Sequence, residues 1–369
     1  MDQQRRDGTR TVHAGLPAPV SGQPFLPGPV FAAPYHLDPV AGPTDAGYAR
    51  GENSTRELWE SAVGGLEGGS CVAYASGLAA ITGVLLAVLR TGDTVVLPAD
   101  GYFSVRAFAT ETLTPLGINV RYAPTAGPYP DLAGVRLVLV ECLANPGLDV
   151  CDVPAVVAAA HAAGALVAVD NTVATPLGLR PLDHGADFVV AAATKAMSGH
   201  SDLLMGYAAT RDPELAALLR TRREHSGAVP SPFDCWLAHR SLATLDLRLA
   251  RQATNAAALV AALADRPEVT GLRWPGWSAD PSYELAGRVL RRLPGLLSFC
   301  LPDAAHVGRF LTASELVFAA TSFGGLHTSA DRREQWGEPL PTGFLRVSCG
   351  IEDPADLVAD LTRALDLAA

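Results

Sequence analysis

Lysine is almost missing from this 369-residue chain; 27 arginines carry the positive charge, and one lysine, Lys195, stands beside them. Positive charge is scarce as a whole. The formal net charge of −10 argues against nucleic acid or an anionic membrane as the main partner, since both require a basic face. Long apolar runs are missing too: the longest, about Leu78–Leu89, is well short of the roughly 20 residues of a membrane span. The six cysteines (71, 142, 151, 235, 300 and 349) show no C-x-x-C spacing, and the nine histidines add no cluster to them. A bound metal is therefore not expected, and the thiols read as free, mostly buried groups of a reducing compartment. The first residues, Met1–Asp7, mix charges of both signs without an apolar stretch, so no secretory leader is expected and the protein reads as cytoplasmic. What the chain has in quantity is apolar. With 49% hydrophobic and 18% charged residues it is not a mainly disordered chain, and it has core enough for two or three domains.

Where arginine fills every role that asks only for charge, lysine survives where a guanidinium cannot substitute. That role is amine chemistry, in which an ammonium lowers its pKa or a neutral amine forms a Schiff base. The plain alternative is a surface lysine left by chance. The neighbourhood argues against it, because Lys195 follows the apolar run Phe188–Ala193 and precedes Met197-Ser-Gly-His200. The end of a buried strand is a costly place for a merely solvating charge.

The first fifty or so residues are rich in proline and glycine from Pro17 to Pro43 and read as an extended arm packing on another surface. Ser54, with Glu57 three positions on, predicts a helix cap ahead of Leu58, Val63 and Leu66, and a second helix starts near Gly77. Thr94–Leu97, Arg136–Val140, Ala165–Val169 and Phe188–Ala191 are strand-like, and helix-like segments lie near 105–113 and 153–163. Apolar strands separated by helices predict an α/β domain whose mostly parallel sheet is covered on both faces. One long helical region follows Pro232 as far as Leu263; Val269–Leu272, Leu296–Cys300, Leu316–Ala319 and Phe344–Val347 then alternate with helices, predicting a smaller α+β domain. The expected division is an arm over 1–55, a large domain over 56–235 and a C-terminal domain over 236–369.

Ligands of open α/β sheets sit at strand ends. Asp170 closes the strand Ala165–Val169, where a buried carboxylate needs a cationic partner, although Asp-Asn also makes an ordinary turn cap. Ser76-Gly77 lies where the strand-like Ala73–Ala75 turns into a helix, and exposed amides there suit a phosphate. Asn145-Pro146 would by itself be a turn. A carboxylate, a phosphate cradle and a Schiff-base lysine together fit pyridoxal 5′-phosphate.

Over nearly its whole length the chain resembles the cystathionine γ-synthase/γ-lyase family, the pyridoxal-phosphate enzymes of cysteine and methionine metabolism. The matching stretches are Thr9–Gly15, Gly47–Arg50 with Asn53–Arg56, Leu66–Gly69, Ala75–Ala80, Val169–Thr172 with Ala174–Pro176, Ala193–Lys195 with Gly199–Asp202, Thr321–Gly325, and Leu345–Ser348 with Gly350–Asp353. The resemblance implies a fold-type I pyridoxal-phosphate transferase fold. It implies that Lys195 is the Schiff-base lysine and proton shuttle, that Asp170 pairs with the pyridinium nitrogen, and that Tyr102 stacks on the ring and protonates a leaving sulfur. Asn145 would bond the ring hydroxyl, and Ser76, Gly77, Leu78 and Thr194 would cradle the phosphate. Tyr48 and Arg50 would reach the phosphate from a neighbouring subunit, implying a homotetramer built as a dimer of dimers with shared sites. Arg346 would grip the substrate α-carboxylate with Ser322 beside it.

Three departures stand out. Ala192 replaces the usual serine of the phosphate site, Asn53-Ser-Thr55 replaces the common Asn-Pro-Thr, and Leu326-His327-Thr328 stands where many members carry a glutamate near the distal end of the substrate, which makes His327 a candidate substrate contact. Of the remaining polar residues, His200 and Asp202 read as loop hydrogen-bonding partners rather than a proton relay. His161, His184 and His239 read as ordinary surface or boundary residues, and Arg220–Arg223 as a solvated helix end. The implied activity is elimination of cystathionine to cysteine, 2-oxobutanoate and ammonia, favoured because Pro34–Leu37, Asn145–Val150 and Phe323–Thr328 resemble actinobacterial cystathionine γ-lyases. Alternatives are γ-substitution of an activated homoserine ester by a thiol, methionine γ-lysis, a cofactor-free Schiff-base aldolase, and a non-catalytic scaffold.

Overall fold

The computed structural model describes residues 5–41 and 47–368; the stretch of the expected arm at 42–46, and the ends of the chain beyond these bounds, lie outside the described residues. Among the described residues the strands form two sheets. The first contains β1 (Ser70–Tyr74), β2 (Thr94–Pro98), β3 (Asn119–Ala123), β4 (Val135–Glu141), β5 (Leu166–Asp170), β6 (Phe188–Ala192) and β7 (Gly206–Thr210), in the order β1-β7-β6-β5-β4-β2-β3. Only β7 runs against the others. The second contains β8 (Thr270–Arg273), β9 (Leu296–Cys300), β10 (Phe318–Ala319), β11 (Ser329–Asp331) and β12 (Phe344–Ser348), ordered β10-β11-β12-β9-β8 and mostly antiparallel. This is the α/β architecture with a mostly parallel sheet and a second, smaller sheet that the resemblance implies.

The pleat explains why the central strands read as unbroken apolar runs. Leu137 and Leu139 of β4 enter a core with Leu85 of the helix Gly77–Val88 and Leu219 of Pro213–Ser226. Val138 and Val140 enter the opposite core with Val156 and Val157 of Val153–Ala162. Successive residues point to opposite faces and both faces are covered, so Leu137 to Glu141 are all buried and only Arg136, near the start of the strand, is exposed. The second sheet is packed by Leu245–Leu263 and Pro354–Ala368, through Leu259 and Leu361 against Leu297, Phe299 and Leu345.

Several local expectations are corrected. The cap of the first long helix, Ser54–Glu67, is Asn53, whose side chain accepts from Thr55 and Arg56 N–H, while Glu57 accepts the Asn53 N–H at 3.2 Å. The long region after Pro232 is two helices, Pro232–Leu242 and Leu245–Leu263. The segment near 105–113 is helical as expected, with Phe103–Phe108 running into one turn of π-helix at Ala109–Leu113. Arg223 is not solvated: it is buried and donates to Glu60 Oε1 at 2.5 Å, a carboxylate that also accepts the Ala73 N–H at the head of the sheet.

Asn53 ties two parts of the chain together, since its amide also donates to Val30 O at 3.0 Å. Asn53→Ala therefore removes a helix cap and an anchor of the arm. Urea unfolding monitored by circular dichroism is expected to show a loss of about 1–2 kcal/mol, against no change for Ser54→Ala.

Candidate active site

The parallel strands deliver their last residues to one edge. Glu141 of β4 and Asp170 of β5 are register partners there. Ala192 ends β6 three residues before Lys195, and β1 leads through Ser76 into the helix Gly77–Val88. A cavity of ≈ 420 Å³ opens at this edge, lined by Ser76, Gly77, Leu78, Tyr102, Asn145, Asp170, Thr194 and Lys195 from the large sheet's side and by Ser322 and Arg346 from the second.

Lys195 Nζ donates to Ser322 Oγ at 2.7 Å and lies 5.0 Å from the centre of the Phe323 ring. Burial, then the positive charges of Arg346 and Arg333, pull its pKa down to about 8, with Asp170 opposing them. The turn carrying it is fixed by a residue that the sequence did not mark: Arg248, buried, donates to Ala196 O at 2.5 Å and Met197 O at 3.2 Å. Ser322 holds its hydroxyl in place with a φ of 75°, a strained backbone for a residue with a side chain.

Asp170 Oδ1 accepts the Thr172 N–H at 2.9 Å and the Thr172 hydroxyl at 2.5 Å. Burial raises the Asp170 pKa against those two hydrogen bonds and Lys195. Its neighbour Glu141 is raised well above the carboxylate range by burial and by the Asp170 charge, and accepts the Tyr102 N–H at 2.6 Å. The Asp170 charge pushes Glu141 toward its neutral form, and the one ammonium near Asp170, Lys195, is itself pulled down, so the Asp170 carboxylate lacks a firm counter-charge. A protonated ring nitrogen supplies one, so this donor set fits pyridoxal 5′-phosphate.

The phosphate end fits as well. Ser76 caps the helix by accepting the Ala79 N–H at 3.1 Å, and the first amides, Gly77 and Leu78, have no partner inside the helix, leaving them for an anion. Gly77 is required at this point because a Cβ there would meet the Ala192 Cβ at 2.5 Å. Thr194 contributes less than its position suggests: its hydroxyl donates to Met205 O at 3.1 Å and accepts the Met205 N–H at 2.9 Å.

Arg346 is buried and its pKa falls to about 10, through burial first and Arg333 second. Its two terminal nitrogens donate to Asn145 Oδ1 and Ser322 O, each at 2.7 Å. Tyr102 is exposed at the mouth of the cavity, edge-on to Phe103. Three candidates are not brought into it. Tyr48 and Arg50 lie together on the surface, with Arg50 3.9 Å from Glu224. His327 is exposed and edge-on to Phe318, because Thr328 is tied down to Glu352 by bonds of 2.5 and 2.8 Å and the chain turns away. Sequence reasoning missed Glu141, Thr172 and Arg333, all of which line the cavity. Glu141 closes a strand four residues before Asn145, as Asp170 closes its own strand, and that shared placement was the available signal. His200 Nδ1 bonds Ser198 O at 2.6 Å, a loop contact as expected.

Comparison with known proteins gives a consistent picture. The family model described as "Cys/Met metabolism PLP-dependent enzyme" matches residues 40–366. A Streptomyces coelicolor chain provisionally named cystathionine gamma-lyase is 52% identical over 370 residues, covering 98% of this chain and 93% of that one. A Mycobacterium bovis cystathionine gamma-synthase is 36% identical over 376 residues, covering 97% and 96%. The crystal structure of cystathionine gamma synthase from Xanthomonas oryzae pv. oryzae in complex with cystathionine superposes with a TM-score of 0.94 at 32% identity, covering 99% of each chain.

Because Lys195 is the only lysine, amine labelling of its peptide reports one side chain. In cofactor-free protein the labelling rate should rise with pH around a midpoint near 8, followed by mass spectrometry. Arg346→Met removes a neighbouring cation and should move the midpoint upward; Asp170→Asn removes an anion and should move it downward.

Proposed function

The chain belongs to the Cys/Met metabolism PLP-dependent enzymes, and from that premise we propose that it is a carbon–sulfur lyase that eliminates cystathionine to cysteine, 2-oxobutanoate and ammonia with uptake of one water. The observation that carries this reading is the Lys195 amine, 2.7 Å from Ser322 Oγ, in one cavity with Asp170 and Arg346. The provisional name of the Streptomyces relative supports elimination; the gamma-synthase name of the mycobacterial one supports γ-substitution as the second reading.

In this reading Lys195 would hold pyridoxal 5′-phosphate as its Schiff-base partner, Asp170 would meet its ring nitrogen, Asn145 its ring hydroxyl, and Ser76, Gly77, Leu78 and Thr194 its phosphate. When bound, it supplies an electron-poor ring that accepts the electron pair left at the substrate Cα. The residues of the chain do the rest. Arg346 pairs with the substrate α-carboxylate through its fork of donors, at the place where it now holds Asn145 and Ser322. The Lys195 amine, neutral above a pKa of about 8, takes the proton from Cα and works next at Cβ, one bond further along. Ser322 orients that amine. Tyr102, at the mouth with its backbone fixed by Glu141, gives a proton to the departing sulfur. Burial around Lys195 keeps water from competing for these protons.

The assembly proposed is a homotetramer, a dimer of dimers in which Tyr48 and Arg50 serve the neighbouring subunit's phosphate. Their exposure away from their own cavity supports this, as do the exposed Phe25, Phe31 and Val40 of the arm. The reading of an arm to residue 55, a large domain to 235 and a C-terminal domain beyond is supported by the two sheets, which lie at 70–210 and 270–348. A cytoplasmic location is supported by the six free cysteines. Among the described residues no helix is long and apolar enough to cross a membrane.

The test is product analysis with pyridoxal-phosphate-loaded protein. Cystathionine is expected to release 2-oxobutanoate and cysteine in equal amounts, with Arg346→Lys losing about 100-fold or more in kcat/KM because the bidentate geometry is gone. Release of no keto acid, with capture of a thiol by an activated homoserine ester instead, would establish γ-substitution.

A further inference from the structure

We infer that Phe323 is a positioning residue for the reacting amine: its ring face holds the Lys195 ammonium and favours the charged state that the amine enters on taking a proton. That this serves catalysis rests on the amino-acid-processing reading above; the contact itself is a property of the folded chain. Lys195 Nζ lies over the Phe323 ring, 5.0 Å from its centre. That is inside the roughly 6 Å over which the negative face of an aromatic ring attracts a cation. The guanidinium carbon of Arg346 is 5.4 Å from the same centre, so one ring serves two cations of the cavity.

The loop fixes where the ring sits. Before it, Ser322 has a φ of 75° and accepts from Arg346 Nη2 through its carbonyl at 2.7 Å. After it, Gly324 has a φ of 79° and donates its N–H to Ser348 Oγ at 2.8 Å. A Cβ on Gly324 would meet the Ala196 nitrogen at 2.5 Å, so this backbone rests directly on the residue that follows the lysine. Gly325 O accepts from Gln252 Nε2 at 2.8 Å. Phe323 itself is half-buried and packs against the core that contains Val173 and Ala174. Lys195 needs such a neighbour. Its ammonium has three donors, and among the described residues Nζ donates to one acceptor, Ser322 Oγ. Arg346 is better supplied, with Asn145 Oδ1 and Ser322 O. The charged groups around the amine are divided. Arg346 and Arg333 oppose its positive charge and Asp170 supports it, Glu141 beside Asp170 is pushed toward its neutral form, and the Tyr102 phenol lies at the mouth. The ring face joins the supporting side without bringing another charge or titrating proton into the cavity.

Burial acts in the opposite direction, which gives the test its sign. A wall residue that only excludes water disfavours the ammonium, so trimming it admits water and moves the amine's midpoint upward. Loss of a ring face that supports the ammonium moves the midpoint downward. Amine labelling of Lys195 against pH, in cofactor-free protein without substrate, is compared between the unsubstituted chain and Phe323→Leu. The midpoint is expected to fall by about half a pH unit, a roughly threefold change in the ratio of neutral to charged amine. Site-specific replacement of Phe323 by 4-fluoro-, 3,5-difluoro- and 3,4,5-trifluorophenylalanine weakens the ring face at nearly constant shape. The midpoint is expected to fall stepwise along that series, which carries the test if Phe323→Leu does not fold. A midpoint that ignores the fluorines, or that rises or stays unchanged in Phe323→Leu, would overturn the inference and mark the ring as an apolar wall. Because neither cofactor nor substrate is present, a failed keto-acid assay and a failed labelling series are separate results: the first removes the role in catalysis, the second the contact itself.

Discussion

The contact between Lys195 Nζ and Ser322 Oγ joins the last turn after the parallel sheet to a loop of the second sheet across the cavity. Everything around it answers to the cost of placing an ammonium there. Burial and two nearby guanidinium groups lower its pKa from 10.5 to about 8, so protonating the amine costs on the order of 3 kcal/mol more than in water. That cost is what leaves a neutral, nucleophilic amine available close to physiological pH. It also explains why no arginine could take the position in a chain that otherwise uses arginine throughout.

Two charge pairings of opposite sign flank this amine. On the large-sheet side, Glu141 and Asp170 face each other in register, burial raises both, and the Asp170 charge pushes Glu141 up further, a frustration that a cationic ring nitrogen would relieve. On the other side, Arg346 and Arg333 share Asp331, and Glu338 pairs with Arg333 as well. The cavity thus lacks a firm counter-charge at its large-sheet end, which a protonated ring nitrogen would supply. Its framework is rigid: the carboxyl pair sits on the sheet itself, Arg248 holds the lysine turn, and Thr328–Glu352 bonds hold the loop after Ser322.

Much of this was legible in the sequence, for physical reasons. Strands buried on both faces read as continuous apolar runs, and so β2, β4, β5 and β6 were visible. β3 was not, because an edge strand carrying Asn119 and Arg121 has no apolar pattern. Nor was β7, whose Gly206-Tyr-Ala-Ala-Thr210 is poor in strand-forming residues and depends on β1 and β6 on either side. Lys195 stood out by composition alone, and Asp170 by its place at a strand end. His327 drew attention through its position in a motif, but one hydrogen-bonded threonine later the chain turns it outward. Arg333 and Arg223 were hidden among 27 arginines, since burial distinguishes them and burial of a charge depends on partners far away in sequence. The same holds for Asn53, which caps the helix because its side chain also meets the arm.

The central claim is that one buried amine at the edge of the sheet holds pyridoxal 5′-phosphate. Borohydride reduction of the loaded protein followed by peptide mass spectrometry tests it directly, since the chain offers only one lysine. The account predicts cofactor attached quantitatively at Lys195, abolished in Lys195→Ala. Loaded protein with no attachment at Lys195, or with cofactor attached only at the α-amino group, would contradict it.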